Sequence, residues 1–447
     1  MPSPRVLVAN RGEIAVRVIR ACHELGMYAI AVHSDADADA VHVRMADEAV
    51  RIGPASASKS YLSIDAILEA ARATSADAVH PGYGFLSENA RFARAIQNAG
   101  LIWVGPSPEV IDLMGDKASA RAAAERAGVP VVPGTGVLAD ADAALAAAAD
   151  MGYPVLLKAS AGGGGRGIRR IDDDSTLTES FLQAQREVTA AFGDGSMYLE
   201  RSLENVRHVE VQVLSDGRGR TIHLFERECS MQRRRQKVIE ETPAPGLPTD
   251  VRQRMCSAAV DLAASVGYAS AGTVEFLVEP NGEFSFIEMN TRIQVEHGIT
   301  EMLTGIDLVQ WQLRVAFGED LGLEQSDVQP RGAVIEVRLN AEDPRNSFMG
   351  SPGTLTLCRF PAGPGVRVDS GFEQGAEVQP FYDSMIAKVM AHAPSRPEAI
   401  RRARRALDET KIEGVTTTID FTRTLLESEA FISGNYTTAT LENLLEA

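Results

Sequence analysis

The chain opens on a short apolar run, Val6 to Ala9, followed by Asn10-Arg-Gly-Glu and helical spacing to about Leu25, closed by Gly26. Brief buried-strand runs (Tyr28 to His33, Ala78 to His80, Leu101 to Val104) then alternate with helical segments (Ser63 to Arg72, Glu88 to Ala99). This βαβ rhythm predicts an α/β fold beginning with a doubly wound parallel sheet. The first turn lacks Gly-x-Gly-x-x-Gly, which argues against a dinucleotide site. A helix is expected over Ala118 to Ala127, and Gly128-Val-Pro-Val-Val-Pro-Gly134 marks a boundary after it. Further on, the pattern predicts an alanine-rich surface helix (Ala139 to Asp150), a strand (Pro154 to Lys158), a helix (Leu182 to Phe192) and a strand (Met197 to Arg201). A hairpin (His208 to Leu214, Thr221 to Phe225) and helices over Thr249 to Val266 and Ile306 to Phe317 follow. From Gly332 the character turns antiparallel, with Val334, Glu336, Arg338 and Asn340 on one strand face, and helices end the chain. Three regions are expected: an α/β region 1–114, a central region 115–330 containing a subdomain at about 131–203, and a β-rich region 331–447.

The most informative pattern lies between Ser285 and His297. Glu288, Asn290, Arg292, Gln294 and Glu296 occupy alternate positions, so an extended backbone projects all of them from one face. Upstream, Thr273 to Glu279 runs into Pro280-Asn281-Gly282, and Asn-Gly predicts a two-residue hairpin turn. Glu275 then faces Glu288, with Asn290 on the same side. Opposed carboxylates destabilise a sheet unless a cation lies between them. Two carboxylates and an amide oxygen suit Mg²⁺ or Mn²⁺ shared with a substrate phosphate. Arg292, between Asn290 and Glu296, has the fork expected of an anion contact. A half-exposed edge strand with solvated charges is the plain alternative.

Net charge is −17, which argues against a general nucleic-acid or anionic-membrane surface. Cys22, Cys229, Cys256 and Cys358 show no metal-ligand spacing, and no signal sequence or membrane-length apolar run is present, so the expectation is a reduced, cytoplasmic protein. The chain strongly prefers Arg, its lysines being Lys59, Lys117, Lys158, Lys237, Lys388 and Lys411. Where such a chain keeps Lys, a compact point charge is needed. Lys158 ends a strand and leads through Ala161 into the glycine run 162–167 with Arg166, an arrangement suited to a mobile lid over phosphates or to a plain linker. It is not a Walker loop, since no Gly-Lys-Ser/Thr ends it. Lys117 as a solvated helix-start lysine, and Lys237 in a solvated basic run balanced by Glu240 and Glu241, are the alternatives to a site role.

Several longer motifs together resemble biotin carboxylase, the ATP-grasp component of biotin-dependent carboxylases. They are Asn10-Arg-Gly-Glu13, His80 to Asn89, Met114-Gly-Asp-Lys117, Lys158 with Gly162 to Gly167, Cys229-Ser-Met-Gln-Arg-Arg, Phe286 to His297 and Asn340-Ala-Glu-Asp343. The resemblance implies an ATP-grasp central region and a ligase that carboxylates biotin on a carrier protein with ATP and bicarbonate, through carboxyphosphate. It implies ATP contacts at Lys117, Lys158, Gly164, Gly165, Glu200, Arg201, Ser202, Leu203, His208 and Gln232. Glu275, Glu288 and Asn290 would hold the metal, with the two acids also counted among the ATP contacts. Lys237, Arg292, Gln294 and the Val295 backbone would hold bicarbonate, Glu296 would be its base, and Arg338 would contact biotin. A biotin carboxyl carrier protein, a carboxyltransferase and a homodimer are the implied partners. No Met-Lys-Met biotinylation site occurs, so the carrier is expected on a separate chain or domain.

The chain departs from the family pattern at Ala161, at Arg201 (usually Lys), at Arg235 (usually His or an aromatic), and at Gly298 and Gly350 (usually Pro). Gly298 is expected to loosen the backbone beside the base. Another ATP-grasp carboxylate ligase would keep Lys158, Glu275 and Glu288 but would give no reason for Arg338. A catalytically silent nucleotide-binding regulator would give none for Glu296, Arg292 and Lys237.

Overall fold

The computed structural model describes residues 3–159 and 168–446. Five short strands, β1 (Arg5–Val8), β2 (Tyr28–Ser34), β3 (Glu48–Gly53), β4 (Ala78–His80) and β5 (Ile102–Trp103), form a parallel sheet in the order β3-β2-β1-β4-β5. Helices on both sides cover it, as near-continuous apolar strands require. Val6, Ile14 and Ile19 lie in the core on one face, and Leu7, Ile30 and Phe92 in that on the other. Asn10 ties the first βα turn to the loop after β4, its Nδ2 donating to Pro81 O and Tyr83 O, both at 2.7 Å. That loop carries Glu88, which accepts from Arg292 beside the candidate site.

A small antiparallel sheet of β6 (Val155–Ala159), β7 (Ile168–Ile171) and β8 (Met197–Arg201) has β6 in the middle. The alanine-rich helix Ala141–Met151 is not wholly a surface element: Ala144 and Ala148 are buried in a core shared with Leu157, Phe181 and Leu199.

The main sheet has eight strands. β9 (Arg207–Asp216), β10 (Thr221–Arg233), β11 (Gln236–Thr242), β12 (Ala269–Val278), β13 (Phe284–Asn290) and β14 (Ala333–Asn340) join Met385–Ala393 and Val366–Ser370 in the order β13-β12-β9-β10-β11-β14, then 385–393 and 366–370. Every pairing in it is antiparallel. The β11–β14 ladder therefore makes the central and C-terminal regions one continuous sheet. Helix Thr249–Ser265 packs on the β9–β12 side through Met255, Ala259 and Leu262, and helix Arg396–Glu409 on the C-terminal side through Ala399, Ala403 and Leu407. Among the described residues no helix is long and apolar enough to cross a membrane.

Candidate active site

The hairpin places Glu275 opposite Glu288, as the sequence predicts, but by a different route. The turn is not a two-residue loop. Gly282 N donates to Glu279 O at 2.9 Å and Glu279 N to Glu283 O at 2.8 Å, leaving three residues in the loop with Gly282 alone at positive φ (84°). This shifts the register by one near the turn, where Phe276 faces Phe286; a bulge then restores it, and Glu275 faces Glu288. The bulge and the longer loop cancel.

Facing residues share a side of the sheet, so the ladder builds one polar row from Arg227 on β10 through Glu210 on β9 and Glu275 on β12 to Glu288 on β13. Three acids in such a row need cations. Arg227, fully buried, donates to Glu210 Oε1 at 2.6 Å, Gln212 Oε1 at 2.7 Å, Thr300 Oγ1 at 2.9 Å and Gln294 Oε1 at 2.6 Å. Lys237 Nζ reaches Glu210 Oε2 at 2.6 Å, Glu296 Oε1 at 2.5 Å and Glu275 Oε1 at 3.4 Å. His208 Nε2 lies 2.7 Å from Glu275 Oε2.

β13 ends at Asn290, so the extended backbone expected through Glu296 is not what aligns the remaining groups. The segment 291–296 leaves the sheet and closes on helix His297–Thr304, with Glu296 as its N-cap. The side chains still converge. Gln294 Nε2 donates to Glu275 Oε1 at 2.8 Å, as does Asn290 Nδ2 at 2.7 Å. Arg292 donates to Asn290 Oδ1 at 2.7 Å and to Glu88 Oε2, on the loop after β4, at 3.2 Å. Val295 is fixed by its carbonyl, which accepts from buried Lys388 at 2.6 Å. Arg338 on β14 donates to Glu240 Oε1 at 2.7 Å and Glu296 Oε2 at 3.0 Å.

The electrostatics follow. Burial by itself raises the Glu296 carboxyl, but Lys237, Arg338 and Arg227 outweigh it and hold the group well below the usual range. Glu275 is likewise held low, by Lys237 and His208 against its burial. Glu288 is different. It takes no hydrogen bond from the described residues, and burial, then the Glu275 charge, push its carboxyl up. A half-buried carboxylate repelled by its facing partner, with Asn290 alongside, is a donor set of hard oxygens that fits a divalent cation.

Lys117 opens helix Lys117–Arg126, where burial, and behind it the Lys158 charge, pull its ammonium down while Glu288 opposes. Lys158 on β6 pairs with Glu200 on β8. The 200–203 segment is anchored by backbone: Arg201 N donates to Pro133 O at 2.8 Å and Ser202 N to Pro154 O at 3.1 Å, with Leu203 half-buried after them. The Arg201 side chain crosses to Glu279 at 3.3 Å. Gln232, next to the last residue of β10, lies opposite Lys237. Gly164 and Gly165, with Ala161 and Arg166, lie outside the described residues.

The solvated-run alternative for Lys237 does not hold: Glu240 and Glu241 are 0% and 1% exposed. Arg235 sits in the β10–β11 turn at φ 67°. Gly298 is not loose backbone beside Glu296. It lies within helix His297–Thr304, and a Cβ there would meet Met390 Sδ at 2.4 Å, so the glycine makes room for Met390. At Gly350 a Cβ would meet nothing within 4 Å. The sequence reading did not single out Arg227, Glu210, Glu240, Glu88 or Lys388 for the site. His208-Val-Glu-Val-Gln held the same signal as 288–296, polar groups alternating along a strand of a large core.

Three family models cover most of the chain: biotin carboxylase, N-terminal domain, over residues 2–111; carbamoyl-phosphate synthase L chain, ATP binding domain, over 116–324; and biotin carboxylase C-terminal domain over 336–443. The chain is 53% identical to the biotin carboxylase of Pseudomonas aeruginosa over 443 residues, covering 99% of this chain and 98% of that one. It is 51% identical to biotin carboxylase 1 of Bacillus subtilis, covering 98% of each. Among solved structures, the biotin carboxylase domain dimer of the Hydrogenobacter thermophilus 2-oxoglutarate carboxylase, in complex with MgADP, ADP and bicarbonate, matches with a TM-score of 0.94 at 48% identity, over 98% of this chain and 97% of that one.

Proposed function

The chain belongs to the biotin carboxylase family, and from that membership and the geometry of the site we propose how its residues divide the work. The protein is an ATP-dependent ligase that carboxylates biotin with bicarbonate, and it uses ATP and Mg²⁺. Glu275, Glu288 and Asn290 hold the Mg²⁺, which when bound neutralises phosphate charge. Lys117, Lys158, Glu200, Arg201, Ser202, Leu203, His208 and Gln232, with Gly164 and Gly165, form the ATP site.

Lys237, Arg292, Gln294 and the Val295 backbone bind bicarbonate. Bicarbonate is a weak nucleophile toward the γ-phosphate, and Glu296 accepts its proton during attack. The observation that supports this role above others is that Glu296, though buried, is held ionised between Lys237 and Arg338. Glu88 and Asn290 orient the Arg292 fork, so its donors are set before the anion arrives. Arg338 places fixed positive charge at the ureido oxygen of biotin, where negative charge develops once N1 loses its proton.

In this reading residues 1–114, 115–330 and 331–447 are the three domains, with a lid at about 131–203. The partners are a biotin carboxyl carrier protein, a carboxyltransferase and a second copy of the chain, in the cytoplasm. The test is ADP release from the purified protein with ATP, Mg²⁺, bicarbonate and biotin, each omitted in turn. Full turnover is expected only with all four. Turnover that ignores bicarbonate, or that another acid stimulates in place of biotin, would overturn the reading in favour of a different ATP-grasp ligase.

A further inference from the structure

Behind Arg338, β11 and β14 place Glu240 directly opposite Glu336 in the antiparallel ladder. Both are 0% exposed, and the Cβ atoms of such a facing pair stand about 5 Å apart. Glu240 Oε1 accepts from Arg338, whereas Glu240 Oε2 and both Glu336 oxygens have no hydrogen-bond partner among the described residues. The charges facing the pair are Arg338 on β14, Lys388 on the neighbouring strand, Glu296 at the start of helix His297–Thr304 and Lys237 on β11. The two ammonium groups are committed elsewhere. Lys388 donates to Val295 O at 2.6 Å and pairs with Glu13 at 3.0 Å, and Lys237 holds Glu210 and Glu296. Two ionised carboxylates in this position repel each other in a dry interior and leave three acceptors facing no donor. One proton cancels a charge and turns one oxygen into a donor for a second, so that a single acceptor is left without a partner.

We propose that Glu240 and Glu336 share a single proton, with Glu336 as the neutral member and Glu240 as the ionised one, and that the pair positions Arg338 against Glu296 for its contact with biotin. Glu240 and Glu336 are positioning residues, acting through Arg338. Burial pushes the Glu240 carboxyl up to about 7 against the pull of Arg338, and burial with the Glu240 charge drives Glu336 well above the carboxylate range. Glu336 therefore takes the proton. If it lost that proton, the added negative charge behind Arg338 would draw the guanidinium back from Glu296. The role given to Arg338 rests on the function proposed above, while the protonation of the pair does not.

Infrared difference spectra of the whole protein at mildly alkaline pH, with and without ¹³C-labelled glutamate, test the pair directly. A protonated-carboxyl C=O band that shifts with the label is expected in the wild type and should vanish in Glu336→Gln. If glutamine is not accommodated, Glu336→Met removes the same O–H and the same band. In turnover assays Glu240→Gln is expected to raise KM for biotin by about tenfold or more, as loss of a charge-assisted hydrogen bond implies, with a much smaller change in KM for ATP. Glu336→Gln keeps a neutral partner for Glu240 and should move KM for biotin by less than about threefold, while flattening the high-pH limb of the rate. A spectrum unchanged by either Glu336 substitution, or a Glu336→Gln penalty as large as that of Glu240→Gln, overturns the proposal. An enzyme that lacks biotin-dependent turnover would refute the function but leave the spectroscopic result standing.

Discussion

Lys237 Nζ lies 2.5 Å from Glu296 Oε1 while the Arg338 guanidinium holds the other oxygen at 3.0 Å. With Lys237, Arg338 and Arg227 outweighing its burial, the Glu296 carboxyl is held well below the usual carboxylate range, the state its proposed role as base requires. Replacing Glu296 with the isosteric amide keeps the shape and one acceptor oxygen but removes the charge and the proposed base. Glu296→Gln is therefore expected to lower kcat for bicarbonate-dependent ADP release by about a hundredfold or more. A variant that retains wild-type turnover would rule Glu296 out.

Glu288 faces Glu275 and takes no hydrogen bond from the described residues. Its charge is a cost to the empty fold and an asset only with a cation present. Glu288→Gln should raise the Mg²⁺ concentration needed for half-maximal ADP release, while the thermal midpoint of the metal-free protein stays level or rises. A clear drop in that midpoint would show that Glu288 has a structural role instead.

Arg227 joins Glu210, Gln212, Gln294 and Thr300 with no exposure at all. Removing its charge strands a buried carboxylate, so Arg227→Met should destabilise by roughly 3–5 kcal/mol in denaturant unfolding. Gln294 loses its anchor at the same time, and KM for bicarbonate should rise in whatever folded protein remains. Unaltered stability would mean that water or a rearranged Lys237 replaces the guanidinium.

Acid should weaken the fold through its histidines. Burial pulls His42 and His223 down to about 4, and His80 and His297 down to about 3. An unfolded chain binds these protons near the ordinary imidazole value, the folded one only at far lower pH. Stability is then complete above the unfolded value and falls as pH drops toward about 4, by roughly 3 kcal/mol for His42 alone at the lower end. Denaturant midpoints measured from neutral pH down to about 4.5 should decline steadily. Midpoints independent of pH over that range would show that these rings are hydrated or already charged.

The elements with strong periodicity were legible in the sequence, as was the facing of Glu275 and Glu288, because opposed acids flanked by apolar neighbours call for a cation; Lys117, Lys158, Lys237 and Arg338 entered through the motif resemblance and not through periodicity. Other features were hidden for identifiable reasons. β3 reads as polar because it is a half-exposed edge, Glu48–Gly53. β10 runs on to Arg233, but its later residues include Glu226, Arg227 and Glu228, which look like surface charges and are buried only because β9 and β11 supply partners. Glu240 was invisible as a site group for the same reason: its neutraliser, Arg338, is far away in sequence. The Glu275–Glu288 register was right although the turn type was wrong, since a local rule about Asn-Gly cannot foresee a bulge set by packing.

The unbroken ladder from β13 to residues 366–370 has a mechanical consequence. Lys237 and Arg338 ride on neighbouring, paired strands of one sheet, so the spacing between the bicarbonate and biotin contacts proposed for them is set by strand pairing. A slip of β11 against β14 by a single residue would turn Glu240 to the opposite side and displace Arg338 with it. Under the roles proposed for Lys237 and Arg338 both substrates would be lost together, which makes this seam a common point of failure for the two recognition tasks.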